Sequence, residues 1–117
     1  MTQSRRDRVA RLHTNTHRGV IYVTGGGSLL LSALLTVPGA SATVLEAAVP
    51  YSAQSLAALL RTEPDQAASA ATARALAMTA YLRARSLDPN ASFGLGVTAS
   101  LRTRESKRGA HRAHLTL

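Results

Sequence analysis

The chain has 117 residues, no cysteine, no tryptophan and a single phenylalanine, and a formal net charge of +8. That length buries one core and no more, and the missing thiols exclude disulfides, thiolate metal centres and a cysteine nucleophile, which fits a reducing, cytoplasmic setting. With aromatic residues at 3% there is little on which to stack bases, so nucleic acid is a disfavoured partner even though arginines cluster at Arg5, Arg6, Arg8, Arg11 and Arg18 and again at Arg102, Arg104, Arg108 and Arg112.

Ser4 to His13 reads as a short arginine-rich helix with Val9 and Leu12 on its apolar side, broken at Asn15-Thr16-His17. Gly19 to Thr24 is a β-branched, buried strand. Gly25, Gly26 and Gly27 turn the chain into a leucine-rich helix, Ser28 to Leu35, with Ser28 at the N-cap position and Pro38-Gly39 as the stop. Basic residues, the apolar stretch to Val37 and Ala40-Ser41-Ala42 imitate a secretory signal. The glycines and Thr24 interrupt that stretch, however, and cleavage would strip the next strand of its neighbour. The longest apolar run is about half of the ~20 residues a membrane span requires, so neither secretion nor a membrane partner is expected.

Leu45 to Val49 reads as a second buried strand closed by Pro50. Ser52 caps a helix running to Leu60, and Glu63-Pro64-Asp65 is a linker. Ser69 caps the best-patterned helix, to about Ser86, with Leu76, Met78, Ala80 and Leu82 as its apolar stripe against Arg74, Arg83 and Arg85. Asp88-Pro89-Asn90 turns the chain into a third strand, Phe93 to Thr98. Arg102 to Gly109 is a polar loop, and His111 to Leu117 a fourth strand. The alternation predicts a single α/β domain over residues 1–117, three layers deep (α/β/α), with a mainly parallel or mixed sheet covered on both faces.

Ligands of open α/β sheets lie beyond the carboxyl ends of the strands, here Thr24–Ser28, Pro50–Ser52 and Thr98–Ser100. The glycines either leave backbone N–H groups free beside a helix N-terminus, where an anion is favoured, or serve close strand–helix packing. Candidate phosphate or ribose contacts are therefore Thr24, Gly25, Gly26, Gly27, Ser28, Ser52, Thr98 and Ser100. Ser28, after the glycines and at a helix start, is also the one candidate nucleophile; its plainer role is an N-cap worth ~1 kcal/mol. Tyr51 is either a ring for a base or a core tyrosine. Lys107, His111 and Arg112 belong to a cationic stretch that would fold over a phosphate, with His111 titrating, or stay solvated. Glu46, the odd residue of an apolar strand, is edge-exposed, buried with a partner, or a general base with a raised pKa. No metal site is expected. His111 and His114 would face opposite ways on a strand, and His13 and His17 straddle the break at Asn15 with no carboxylate beside them. No cofactor is expected either.

Thr24-Gly25-Gly26, Val37-Pro38-Gly39-Ala40-Ser41, Tyr51-Ser52 and Val97-Thr98-Ala99 stand in an order and spacing that resembles the family named for the C-terminal domain of CinA, the competence- and damage-inducible protein. The likeness spans roughly Arg18 to Leu117. Its members include nicotinamide-nucleotide amidohydrolases, which release ammonia from nicotinamide mononucleotide, so the resemblance implies that fold, a nucleotide-sized pocket and a Ser/Lys amidase. Two departures fall on the chemistry. The family's nucleophilic serine, two residues before Thr-Gly-Gly, corresponds to Tyr22, and its lysine, five after the tyrosine of Tyr-Ser, to Leu56. Ser28 is an addition to the family turn, and the chain's one lysine is Lys107.

An amidase of this kind needs a hydroxyl and a base within hydrogen-bond reach, so binding of a nucleotide-like phosphorylated small molecule is expected to carry over and the mechanism is not. The readings are an amidohydrolase relative with altered apparatus, a non-catalytic nucleotide-binding or regulatory module, and, against the motif order, a basic nucleic-acid binder. The family domain continues with at least another strand and helix. The chain thus reads as a domain whose C-terminal part is missing, with a last sheet edge open to pairing, including with a second copy in a homo-oligomer.

Overall fold

Every predicted strand is present, and together they make one sheet in the order β2-β1-β3-β4. A computed structural model describes residues 2–14, 17–25, 28–64, 69–100 and 112–116. Along the chain these form α1 (Gln3–His13), β1 (Gly19–Thr24), α2 (Ser28–Thr36), a 3-10 turn (Ala40–Ala42), β2 (Val44–Ala48), α3 (Ala53–Leu60), α4 (Ala70–Leu87), β3 (Phe93–Ser100) and β4 (Arg112–Thr116). β1 runs parallel to both β2 and β3, and β4 returns antiparallel to β3. The fold is α/β with a mixed sheet.

Helix starts follow the hydroxyl residues. Thr2, Ser52 and Ser69 accept hydrogen bonds from the backbone N–H groups of Arg5, Ser55 and Thr72 at 3.2, 3.0 and 3.1 Å. Each satisfies one of the orphan donors of a first turn, a contribution of about 1 kcal/mol.

β1 is buried along its whole length because both of its faces are covered. Strand alternation sends Val20 and Tyr22 to one side, where they pack with Leu56 of α3 and Leu76, Ala80 and Ala84 of α4. Ile21 and Val23 go to the other side, against Leu34 of α2, with Leu95 and Val97 of β3 and half-buried Val9 of α1. Three layers result, with a core on each face of the sheet.

Two expectations are corrected. The second strand is Val44–Ala48 and is half-buried throughout, not buried, because β2 is an edge strand; Val49 lies outside it and is exposed. The stripe on α4 is also different. Met78 and Leu82 are each 62% exposed, and the buried positions are Thr72, Ala73, Leu76, Ala77, Ala80 and Ala84. The reason lies across the interface: a Cβ added at Gly94 would stand 2.2 Å from the Tyr81 amide nitrogen, and one at Gly96 2.4 Å from the Ala73 carbonyl oxygen. β3 presents bare backbone to α4, so the helix lies close and its contact face admits mostly alanine.

Candidate functional site

The parallel register Gly19↔Phe93 to Thr24↔Thr98 ends β1 and β3 side by side at Thr24 and Thr98. From β1 the chain leaves through α2 toward β2 on one edge, whereas from β3 it goes to β4 on the other. That divergence opens a crevice outside the carboxyl ends of the two strands, where open α/β sheets take their ligands.

Both threonines are buried, and each ties down a neighbouring segment. Thr24 Oγ1 donates to the Pro50 carbonyl oxygen at 2.9 Å, and Thr98 Oγ1 makes a longer contact of 3.5 Å to the Ser69 carbonyl oxygen. The first bond fixes the exit of β2, and the second fixes the start of α4. Their hydroxyls therefore shape the rim, and the part of the crevice left for a ligand is backbone. Gly25 follows directly with φ +75°, a left-handed conformation that glycine adopts at little cost. Ser28 is the first residue of α2.

The remaining candidates separate. Tyr51 stands beside this rim with its ring 77% exposed, so it is no core residue. The hydroxyl of Ser52 is engaged as the cap of α3. A cavity of about 350 Å³ opens by the first turn of α3, lined by Ala53, Gln54, Leu56, Glu63 and Pro64; its one charged lining group is anionic, which repels a phosphate. Ser100 and Arg112 are paired through their backbones at the far end of β3 and β4. Gly26, Gly27, Lys107 and His111 lie outside the described residues.

Tyr22 and Leu56, the residues at the positions of the family's serine and lysine, are 3% and 2% exposed and belong to one packed cluster. The Tyr22 hydroxyl donates to Glu46 Oε2 at 3.2 Å. Arg83 grips the same carboxylate from Nε to Oε2 and from Nη2 to Oε1, at 3.1 and 3.2 Å. The guanidinium bonds hold Glu46 below its usual carboxylate range, against the opposing effect of partial burial. The reading of Glu46 as a base with a raised pKa is therefore corrected: it is an ionised, paired edge residue. Burial first, and then the Glu46 charge, push the Tyr22 hydroxyl upward.

The sequence reading did not foresee the role of His13. Its ring is buried, with Nε2 2.8 Å from the Leu34 carbonyl oxygen and Nδ1 2.7 Å from Thr43 Oγ1. It closes one of the last carbonyls of α2 and joins α1 to the segment before β2. Its i, i+4 spacing from Val9 was the available signal. Among the described residues no group of three or more His, Cys, Asp or Glu side chains could hold a metal ion, and no helix is long and apolar enough to cross a membrane.

No protein-family model matches the chain, and no curated protein matches it significantly.

Proposed function

We propose that the chain is a binding module for a phosphorylated, nucleotide-like small molecule, held at the carboxyl ends of β1 and β3, and that it does not hydrolyse amides. The observation that supports this reading is the pairing of Thr24 with Thr98 at the point where the connections of β1 and β3 diverge, with Gly25 in a left-handed turn and α2 starting at Ser28. Backbone donors of a glycine turn before a helix suit a phosphate. Against catalysis by the family's Ser/Lys pair stand Tyr22 and Leu56, both packed into hydrocarbon.

Binding is tested by calorimetric titration with nicotinamide mononucleotide, adenosine monophosphate and ribose 5-phosphate. The parent should bind at least one of them, and Gly26→Val should abolish binding by blocking close backbone approach while leaving the fold intact by circular dichroism. A folded Gly26→Val protein that binds as tightly as the parent would sink the proposal. Ammonia release from nicotinamide mononucleotide should be absent. Turnover near ~10 per second, the median for enzymes, would instead make Ser28 the first residue to replace.

A further inference from the structure

The outer edge of β3 carries a second feature, at the opposite end of the sheet from the glycine turn. The Gly19 amide donates to Thr43 on the β2 side, and the Ser92 amide donates to the Arg18 carbonyl of the segment entering β1. Strand alternation then points the backbone N–H and C=O of Phe93 and Leu95 away from β1, toward the β4 side. β4 pairs with β3 only from Gly96↔Thr116 to Ser100↔Arg112. Among the described residues no strand pairs with Phe93–Leu95 on that side.

Each face of this open edge has its own groove. On the α1/α2 side a hollow of about 350 Å³ is walled by Leu12, Leu30, Leu34, Phe93 and Leu95, with His17 at its rim. On the α4 side a hollow of about 590 Å³ is walled by Ala77, Met78, Tyr81 and Gly94, with Arg74 at its rim. Ser92 and Phe93 line both, so the two hollows flank one short length of backbone. Neither is lined by a carboxylate. Met78 and Leu82 on the adjoining helix are well exposed.

We infer that this edge is a docking site for an extended, acidic peptide segment of a partner protein, which adds as a strand in line with β4. Side chains of an added strand alternate between faces. Those opposite Phe93 and Leu95 enter the α1/α2 groove, and the one opposite Gly94 enters the α4 groove. Gly94 has no side chain and its neighbour there is the α4 backbone, so the residue opposite it is large and apolar and packs on Met78 and Tyr81, as an aromatic residue covers a cross-strand glycine. Arg74 and the surplus positive charge of the chain select acidic flanks. Backbone bonds supply affinity and the two grooves supply specificity, the usual division in strand addition.

The test is a titration of the isotope-labelled protein with the capped peptide Glu-Asp-Val-Phe-Val-Thr-Asp, followed by amide chemical shifts and hydrogen exchange. Expected are saturable shifts and slowed exchange centred on Phe93 and Leu95. Met78→Asp and Arg74→Glu, changes at surface positions that leave the core intact, should each weaken binding roughly tenfold. A peptide N-methylated at alternate residues should not bind. The inference is overturned by an absence of shifts at ~1 mM peptide, by shifts centred elsewhere, or by undiminished binding of the N-methylated peptide. It is equally overturned if the same amides shift with protein concentration alone as the mass doubles, which would give the edge to a second copy.

Discussion

Glu46 is the one carboxylate in the four strands, and it shows how an edge position tolerates a charge. Its side chain is 33% exposed, and Arg83 and Tyr22 satisfy what water does not. Replacing it with glutamine should cost about 0.5–1 kcal/mol, the range of partly solvated ion pairs, measured by urea unfolding at neutral pH. The pH dependence has a definite sign on both sides. Because the folded Glu46 pKa is depressed, its stabilisation is present above the ordinary value of 4.5 and is lost as pH falls through the lower folded value. Because the folded Tyr22 pKa is raised, its stabilisation holds below the ordinary value of 10.0 and declines as pH rises past it. Glu46→Gln should flatten the acid limb and, by removing the charge beside Tyr22, soften the alkaline one. An unchanged acid limb would mean that the pair contributes nothing to folding.

At the scale of elements, the contact between α4 and β3 is the least forgiving in the protein. Gly96→Ala forces a methyl to within 2.4 Å of the Ala73 carbonyl oxygen and 2.6 Å of the Ala77 amide nitrogen, both backbone atoms. A loss of about 3 kcal/mol is expected, visible as a lower thermal midpoint, whereas Met78→Ala on the outer side of the same helix should change little. α1 behaves in the opposite way, since His13 is its one buried residue. His13→Ala should release α1, because an isolated helix of this length is marginal in water; exchange of the α1 amides should rise while β1 stays protected. Much of this was legible in the sequence. The strand Gly19–Thr24 and the helices capped by Ser52 and Ser69 follow from β-branching and cap chemistry. The depth of β2 was not legible, because an apolar run reads alike in a central and an edge strand. Nor was the α4 stripe, since the close approach is set by Gly94 and Gly96 on a strand some twenty residues away. At the candidate site the strand-end threonines could be read from spacing, but their partners Pro50 and Ser69 are products of the folded topology.

For the molecule as a whole, the excess of positive charge is a field as well as a set of contacts, and the two are separable. If a phosphorylated ligand sits at the carboxyl ends of the strands, only cations within the screening distance, ~8 Å at physiological salt, assist its capture. Lys107→Ala with Arg108→Ala should then weaken binding and flatten its salt dependence. Arg5→Ala with Arg6→Ala should not, because α1 is anchored through His13 beside Thr43, at the amino end of the sheet. Equal losses from both pairs would point to a diffuse basic surface and to nucleic acid. The core around Tyr22 and Leu56 has a further consequence, one of history and not of binding. A serine at 22 and a lysine at 56 would today be set into hydrocarbon beside Leu76 and Ala80. The first would leave a hole costing about 3–5 kcal/mol, and the second would bury a cation with no partner. Single reversions toward an amidase thus lead through unfolded intermediates. If a chain of this kind once had that chemistry, the packing has become a ratchet, and catalysis would have to be rebuilt at the open glycine turn.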